Sequence, residues 1–280
     1  MKKIAIRFAV VLVATTFLFN CKKKEDESPK PASSQAATPP DYKTYNNISS
    51  AFTTISDDIN KGYQDSTKSN QRSQSNCAQY SWLWDGKGKP VPGFGETYVK
   101  LTISFNGACE DGITRTGSME VYFSGWGNTW KDSVSIKNLT VNGLAINGYR
   151  SSKYNAKLAA PNVNPYDVRI EGDVKHTNGL NYHYSATELN TWTGLTSFAR
   201  SGTGYLKDNN SGATLFGAIT LPMVTTWECS FFKFPVSGEI QYTSNIANGS
   251  KGTVNYGSGT CDQSAVYTDH AGTKTTFTLQ

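Results

Sequence analysis

Residues 168–184 read VRIEGDVKHTNGLNYHY. Val168, Ile170 and Val174 alternate with Arg169, Glu171, Asp173 and Lys175, and then Asn178-Gly179 precedes Leu180, Tyr182 and Tyr184. Alternation with a period of two sends one set of side chains to each face of a strand. A two-residue Asn-Gly turn would put Leu180 on the charged face. A three-residue loop, Thr177 to Gly179 with Gly179 left-handed, pairs His176 with Leu180 instead and brings the apolar sides together. The segment predicts an antiparallel hairpin closed by that longer loop.

The same alternation recurs outward from the hairpin. In YVKLTISF at 98–105 the residues Val99, Leu101, Ile103 and Phe105 share a face, and Met119, Val121 and Phe123 do so in SMEVYFS at 118–124. Further strands are predicted near 78–84, 134–141, 168–176, 180–187, 213–220, 236–243, 252–257, 263–268 and 274–279. Short spacing and frequent Gly and Asn turns argue for consecutive antiparallel pairing. Before them the period changes, because Ile48, Phe52, Ile55, Ile59 and Tyr63 recur every three or four residues. That spacing predicts an amphipathic helix at about 47–66, with Asn47 as N-cap, its polar face carrying Ser56, Asp57, Asp58 and Lys61, and its apolar stripe packed on the strands. The expected fold is mostly β, a single large antiparallel β sandwich or curved sheet with one N-terminal amphipathic helix. No Gly- or Pro-rich linker divides residues 46–280, so one β-rich domain is expected there.

The N-terminus follows the order of an export signal. Lys2, Lys3 and Arg7 form a positive segment, and an apolar run from Phe8 to Phe19 follows it. A spanning helix needs about 20 apolar residues, so this shorter run reads as a signal peptide over residues 1–20. Phe17-Leu18-Phe19-Asn20-Cys21 resembles a lipobox, with Asn20 standing where a smaller Gly or Ala is usual. The expectation is a diacylglyceryl lipoprotein, palmitoylated at Cys21 and anchored by acyl chains that each contribute about 0.8 kcal/mol per buried CH₂. Residues 21–45 begin CKKKEDESPKPASSQAATPP, a composition that cannot bury enough surface to fold and therefore reads as a flexible tether. Glu25-Asp26-Glu27 resembles the signal that sends some Bacteroidota lipoproteins to the cell surface, and it reads equally as a solvated linker. The expected location is the cell envelope, as an outer-membrane lipoprotein with either orientation open.

Charge says little about partners. The chain has 27 Lys and Arg against 22 Asp and Glu, and removing residues 1–20 takes away three cations, leaving 24 against 22. Nothing here argues for nucleic acid. Four cysteines remain after Cys21: Cys77, Cys109, Cys229 and Cys261. An even number in an exported chain suggests disulfides. Positions 77 and 109, and 229 and 261, are separated by the same 32 residues, which favours local pairing of Cys77 with Cys109 and Cys229 with Cys261. Each bridge would stabilise by roughly 3 to 4 kcal/mol through loop entropy. A structural zinc site is the alternative, though no Cys-x-x-Cys spacing occurs.

Three segments then read together: TISFNGACEDGITRTGSMEVYFSG at 102–125, TVNGLAING at 140–148, and CSFFKFPVSGEIQY with VNYGSGTCDQSAVYT between 229 and 268. They resemble a family of uncharacterised Bacteroidota-type lipoproteins with a Cys, Asp-Gly, Arg, Gly pattern in mid-chain and Tyr-Gly-x-Gly-Thr-Cys-Asp near the end. The matching residues are Cys109, Asp111, Gly112, Arg115 and Gly117, then Tyr256, Gly257, Gly259, Thr260, Cys261 and Asp262. The likeness covers about residues 75–280 and fades between 150 and 200. It implies a secreted β-rich lipoprotein and supplies no activity.

Candidate chemistry is sparse. The only histidines are His176, His183 and His270; they read as exposed turn and hairpin residues, and no metal ligand set or cofactor is expected. Glu171 and Asp173 share a strand face and offer a carboxylate pair for glycoside cleavage, but with Arg169 and Lys175 beside them a solvated charge ladder is the simpler reading. No Walker loop, nucleophile elbow or dinucleotide fingerprint is present. Tyr80, Trp82 and Trp84 alternate on one face, and Trp126 and Trp130 follow Phe123 in a loop. Their rings can stack on sugars or pack in a core. The leading expectation is a non-enzymatic envelope lipoprotein with a structural or binding role, partnered by the membrane and by a glycan, lipid or envelope protein. A glycan- or lipid-binding module using Trp126 and Trp130 is the alternative, and a hydrolase using Glu171 or Asp173 the third. Replacing Cys21 with Ser should move the protein from the membrane fraction to the soluble fraction and abolish fatty-acid labelling; persistence of either in C21S would refute the lipidation reading.

Overall fold

The computed structural model describes residues 40–66, 77–83, 98–125, 129–194, 196–226, 228–229, 234–246 and 251–279. The signal, Cys21, most of the tether, Trp84 and Trp126 lie outside them.

One helix, α1 (Tyr42–Ser66), precedes thirteen strands: β1 (Ala78–Leu83), β2 (Val99–Ala108), β3 (Thr114–Ser124), β4 (Lys131–Val141), β5 (Leu144–Tyr154), β6 (Val163–His176), β7 (Asn181–Thr193), β8 (Ser197–Asp208), β9 (Thr214–Thr226), β10 (Ser237–Ser244), β11 (Gly252–Ser258), β12 (Ser264–Asp269) and β13 (Lys274–Thr278). The strands form a single antiparallel sheet in chain order, with β1 and β13 as its open edges. The architecture is therefore the curved sheet and not the sandwich. The hairpin of β6 and β7 has the expected loop: the His176 N–H donates to the Leu180 carbonyl at 2.9 Å, and Gly179 has φ +88°. Val174 then faces Tyr182 across the pair, both buried. Between β4 and β5 the turn is Asn142-Gly143, with φ of +47° and +80°, the two left-handed residues that a tight hairpin demands.

The helix begins before Asn47. Asp41 is its cap, accepting the Thr44 N–H at 2.8 Å on Oδ1, because Tyr42 and Tyr45 extend the apolar stripe upstream and are buried with Ile48, Phe52, Ile55 and Ile59. Tyr63, expected in that stripe, is 41% exposed, although its ring lies 6.2 Å from that of Phe123. Along its length α1 crosses the strands. Tyr42 stacks on Tyr267 of β12 with centroids 3.9 Å apart, Phe52 stacks on Tyr184 of β7 at 5.3 Å, and Gly62 lies against Tyr80 and Leu101 of β1 and β2. From Tyr42 to Gly62 a helix advances about 30 Å, whereas thirteen flat strands would span nearly 60 Å at about 4.8 Å each. For one helix to touch both margins, the sheet must curve around it. Gly204 and Gly217, paired across β8 and β9, make room for Tyr45; a Cβ at Gly204 would sit 2.0 Å from the Tyr45 hydroxyl.

Two disulfides join Cys77 to Cys109 and Cys229 to Cys261, with Cα separations of 5.0 and 5.3 Å. The first ties the start of β1 to the end of β2. Arg115 on β3 then fastens the following loop to the helix: its Nε donates to Asp58 at 2.8 Å and its Nη2 to Asp111 at 2.7 Å.

The core is thus shared between α1 and the concave face. Phe52, 0% exposed, sits at its centre. Phe52→Ala should lower the unfolding free energy by about 3–5 kcal/mol, while Phe216→Ala on the convex face should cost less than about 1 kcal/mol; denaturant titration of the two variants checks the contrast.

Candidate binding cleft

A cleft of about 740 Å³ opens between α1 and the ends of the central strands. Its helix wall is a stripe spaced by three and four residues: Lys43, Asn46, Ser50, Thr53, Asp57 and Asn60. This is the polar side of α1, so the amphipathicity that buries Phe52 and Ile55 on one face presents hydroxyls, amides and a carboxylate on the other.

The opposite wall is built from rows of residues that face one another across the strands. Tyr166, Asn190, Arg200 and Met223 form one row through β6, β7, β8 and β9. Trp192, Phe198 and Thr225 form the next, and Ser152, Val168 and Glu188 lie on the other side. All of them line the cleft. The rings pack among themselves, Trp192 with Phe198 at 4.9 Å and Trp130 edge-on to Tyr166 at 5.5 Å. Phe234, Tyr256 and Phe277 also line it.

Charged side chains are embedded between these rings in pairs. Arg150 donates to Asp132 at 2.9 Å, and Ser152 donates to the other oxygen of the same carboxylate. Arg200 lies 3.6 Å from Glu188, donates to Thr53 of the helix at 2.7 Å and approaches the Met223 sulfur. Burial pushes the Asp132 carboxyl above its ordinary range, while Arg150 and Ser152 oppose the shift. Asn46 accepts from Tyr242 at 2.6 Å and from Tyr256 at 3.2 Å. Asn46 Nδ2, Arg150 Nε and Asn190 Oδ1 are buried without a hydrogen-bond partner among the described residues. Unpaired buried groups of this kind are uncommon in a purely structural core.

Two neighbouring carboxyls of α1 are perturbed. Burial, reinforced by Asp58, raises Asp57 to about 7. Burial also raises Asp58 to about 6, against the opposing pull of Arg115 and Lys61. Asp111 goes the other way: burial would raise it, but the hydrogen bonds from Arg115 and from the Ile113 N–H outweigh this and hold it at about 2.

The sequence-derived candidates separate clearly. Trp130 lines the cleft, whereas Trp126 lies outside the described residues. Tyr80 is buried, and Trp82 stacks on Phe123 at 5.8 Å, so these two pack in the core. Glu171 and Asp173 point to the convex face, away from the cleft, where Tyr149 donates to Glu171 and His183 pairs with Asp173. They belong to this outward-facing polar network and do not line the cleft. His176 and His270 are exposed, and among the described residues no group of three His, Cys, Asp or Glu side chains is placed to hold a metal. Sequence reasoning missed Asp132, Arg150, Glu188, Asn190, Trp192, Phe198 and Arg200. The available signal was polar residues at inward positions of otherwise regular strands.

No protein-family model matches the chain, and no curated protein or solved structure does either. The cleft must therefore be read from its own chemistry.

Raised carboxyls favour the protonated folded state, so the stability contributed by Asp57 and Asp58 is present near pH 4 and lost as pH rises through about 6 and 7. Asp111 acts oppositely, its contribution disappearing as pH falls from about 4 towards 2. The melting temperature should fall by roughly 5 °C between about pH 5 and pH 8, and Asp57→Asn should flatten that decline. A melting curve set showing wild type and D57N equally pH-dependent would contradict the assignment.

Proposed function

We propose that this protein is a membrane-tethered binding module that holds a polar, ring-bearing ligand of the glycan class in the cleft between α1 and the sheet. The observation that carries this reading is the pairing of two unlike walls. One is a stripe of amides and hydroxyls on the helix, and the other is a set of aromatic rings on the strands. Flat faces stack on sugar rings while amides, hydroxyls and embedded charges hydrogen-bond the ring substituents. The cleft volume lies in the range of about 300–1,000 Å³ usual for small-molecule sites.

An acyl chain fits less well. It would cover Ser50 and Asn60, exposed on the helix wall, without offering them hydrogen bonds, at a cost of about 1–3 kcal/mol for each group left unpaired. The lipobox at Cys21 and the oxidised cysteines support an exported, lipid-anchored protein of the outer membrane, and the acidic cluster Glu25-Asp26-Glu27 supports presentation at the surface. Among the described residues no helix is long and apolar enough to cross a membrane.

Titration with a panel of oligosaccharides should quench tryptophan fluorescence saturably, and Trp192→Ala should weaken binding by about tenfold, the loss expected for one stacked ring. Saturable binding of fatty acids with no response to any oligosaccharide would replace the glycan reading with the lipid one.

A further inference from the structure

We infer that Asp57 is the charge-recognising subsite of the cleft and accepts a cationic nitrogen carried by the ring-bearing ligand. This rests on the binding reading above and specifies its ligand.

Three carboxylates line the cleft: Asp57, Asp132 and Glu188. Two are committed, Asp132 to Arg150 and Ser152, and Glu188 to Arg200. Asp57, half-buried at mid-helix, accepts no hydrogen bond from a described residue. The charges around it are already balanced. Asp58 and Lys61 stand beside it on α1, Arg115 faces it from β3, and Arg150 faces it from β5. Arg115 is held by Asp58 and Asp111, Lys61 lies 3.6 Å from Asp111, and Arg150 is held by Asp132. Three carboxylates thus offset three cations, and Asp57 is left as one negative charge without a counterpart.

The rest of that end of the cleft suits a cation. Trp130, Tyr166 and Tyr63 line the same cleft as Asp57, with Trp130 edge-on to Tyr166 and Tyr63 six residues beyond Asp57 on α1. Aromatic faces and a carboxylate lining one cleft are the combination that attracts alkylated or protonated nitrogen. A neutral hydroxyl would use one lone pair of Asp57 and leave its charge uncompensated. Because burial and Asp58 raise Asp57 to about 7, protons compete with a cationic ligand, whose affinity should drop as the medium is acidified.

The test uses the full lipidated chain in detergent and two probes, a neutral N-acetylglucosamine oligomer and the same oligomer with permanently charged trimethylammonium groups. By calorimetry at about pH 7.5 the cationic oligomer should bind at least about tenfold more tightly, as expected for a charge-assisted contact, and the preference should shrink towards about pH 5. Asp57→Asn should bring the affinities of the two oligomers to within about twofold of each other and leave the near-ultraviolet circular dichroism unchanged. Equal binding of the two oligomers by the wild type, or a preference that survives in D57N, overturns the inference and leaves the glycan cleft standing. Failure of both oligomers to bind overturns the two together. The wild-type pH profile is independent of any variant: a preference that does not change between the two pH values also overturns the assignment of Asp57.

Discussion

The concave face of an open sheet has no second layer of its own, and its apolar side chains need a partner to leave water. Among the described residues α1 is the element that supplies one. Leu101, Ile103, Val121, Val134, Ile146, Val174, Tyr184, Leu206 and Tyr242 come from eight different strands, and all are buried in one cluster with Ile48, Phe52 and Ile55. The sheet's curvature follows from this constraint, since a helix about 10 Å wide can serve strands from β1 to β13 only if they bend towards it. The paired glycines at 204 and 217 mark where the approach is tightest, with the Tyr45 ring filling the space that side chains would occupy.

The same constraint produces the cleft. A single helix cannot fill the whole concavity, so its apolar stripe closes one side and its polar stripe faces the remainder. Strand positions over the filled side carry Leu, Ile and Val. Those over the open side carry Arg, Glu, Asn and aromatic residues, which tolerate partial hydration and still exclude bulk water. Embedding Arg150 with Asp132 and Arg200 with Glu188 is costly unless each charge is answered. Placed between rings, these pairs contribute directional hydrogen-bonding groups more readily than they contribute stability.

Arg115 couples the helix to the covalent framework. Its guanidinium, 2% exposed, joins Asp58 of α1 to Asp111 in the loop that follows Cys109. The Cys77 bridge therefore holds β1, β2 and that loop together, and the buried ion pair passes the restraint to the helix. The motif residues Cys109, Asp111, Gly112 and Arg115, recognisable as a group in the sequence, are united here by position: Gly112 takes φ +77° to let the loop turn back, and Asp111 receives both the guanidinium and the Ile113 N–H.

Much of this was legible from residue order. Period-two alternation marked β2, β3 and the β6–β7 hairpin with its three-residue loop, the three-to-four spacing marked α1, and equal separations paired the cysteines. These features are local, and the physics that enforces them acts within a few residues or a single loop. The strands that were missed, β5 and β8, and the ends of β4, β6, β7 and β9 that were cut short, lie where inward positions hold Asp132, Arg150, Ser152, Tyr166, Glu188, Asn190, Arg200 and Thr225. Alternation of apolar with polar residues reveals a strand only when its buried side faces a dry core. Around the cleft the inward side is polar, so the tertiary structure alone decided which residues converge there, because their meeting depends on how far one helix fills the curve of thirteen strands.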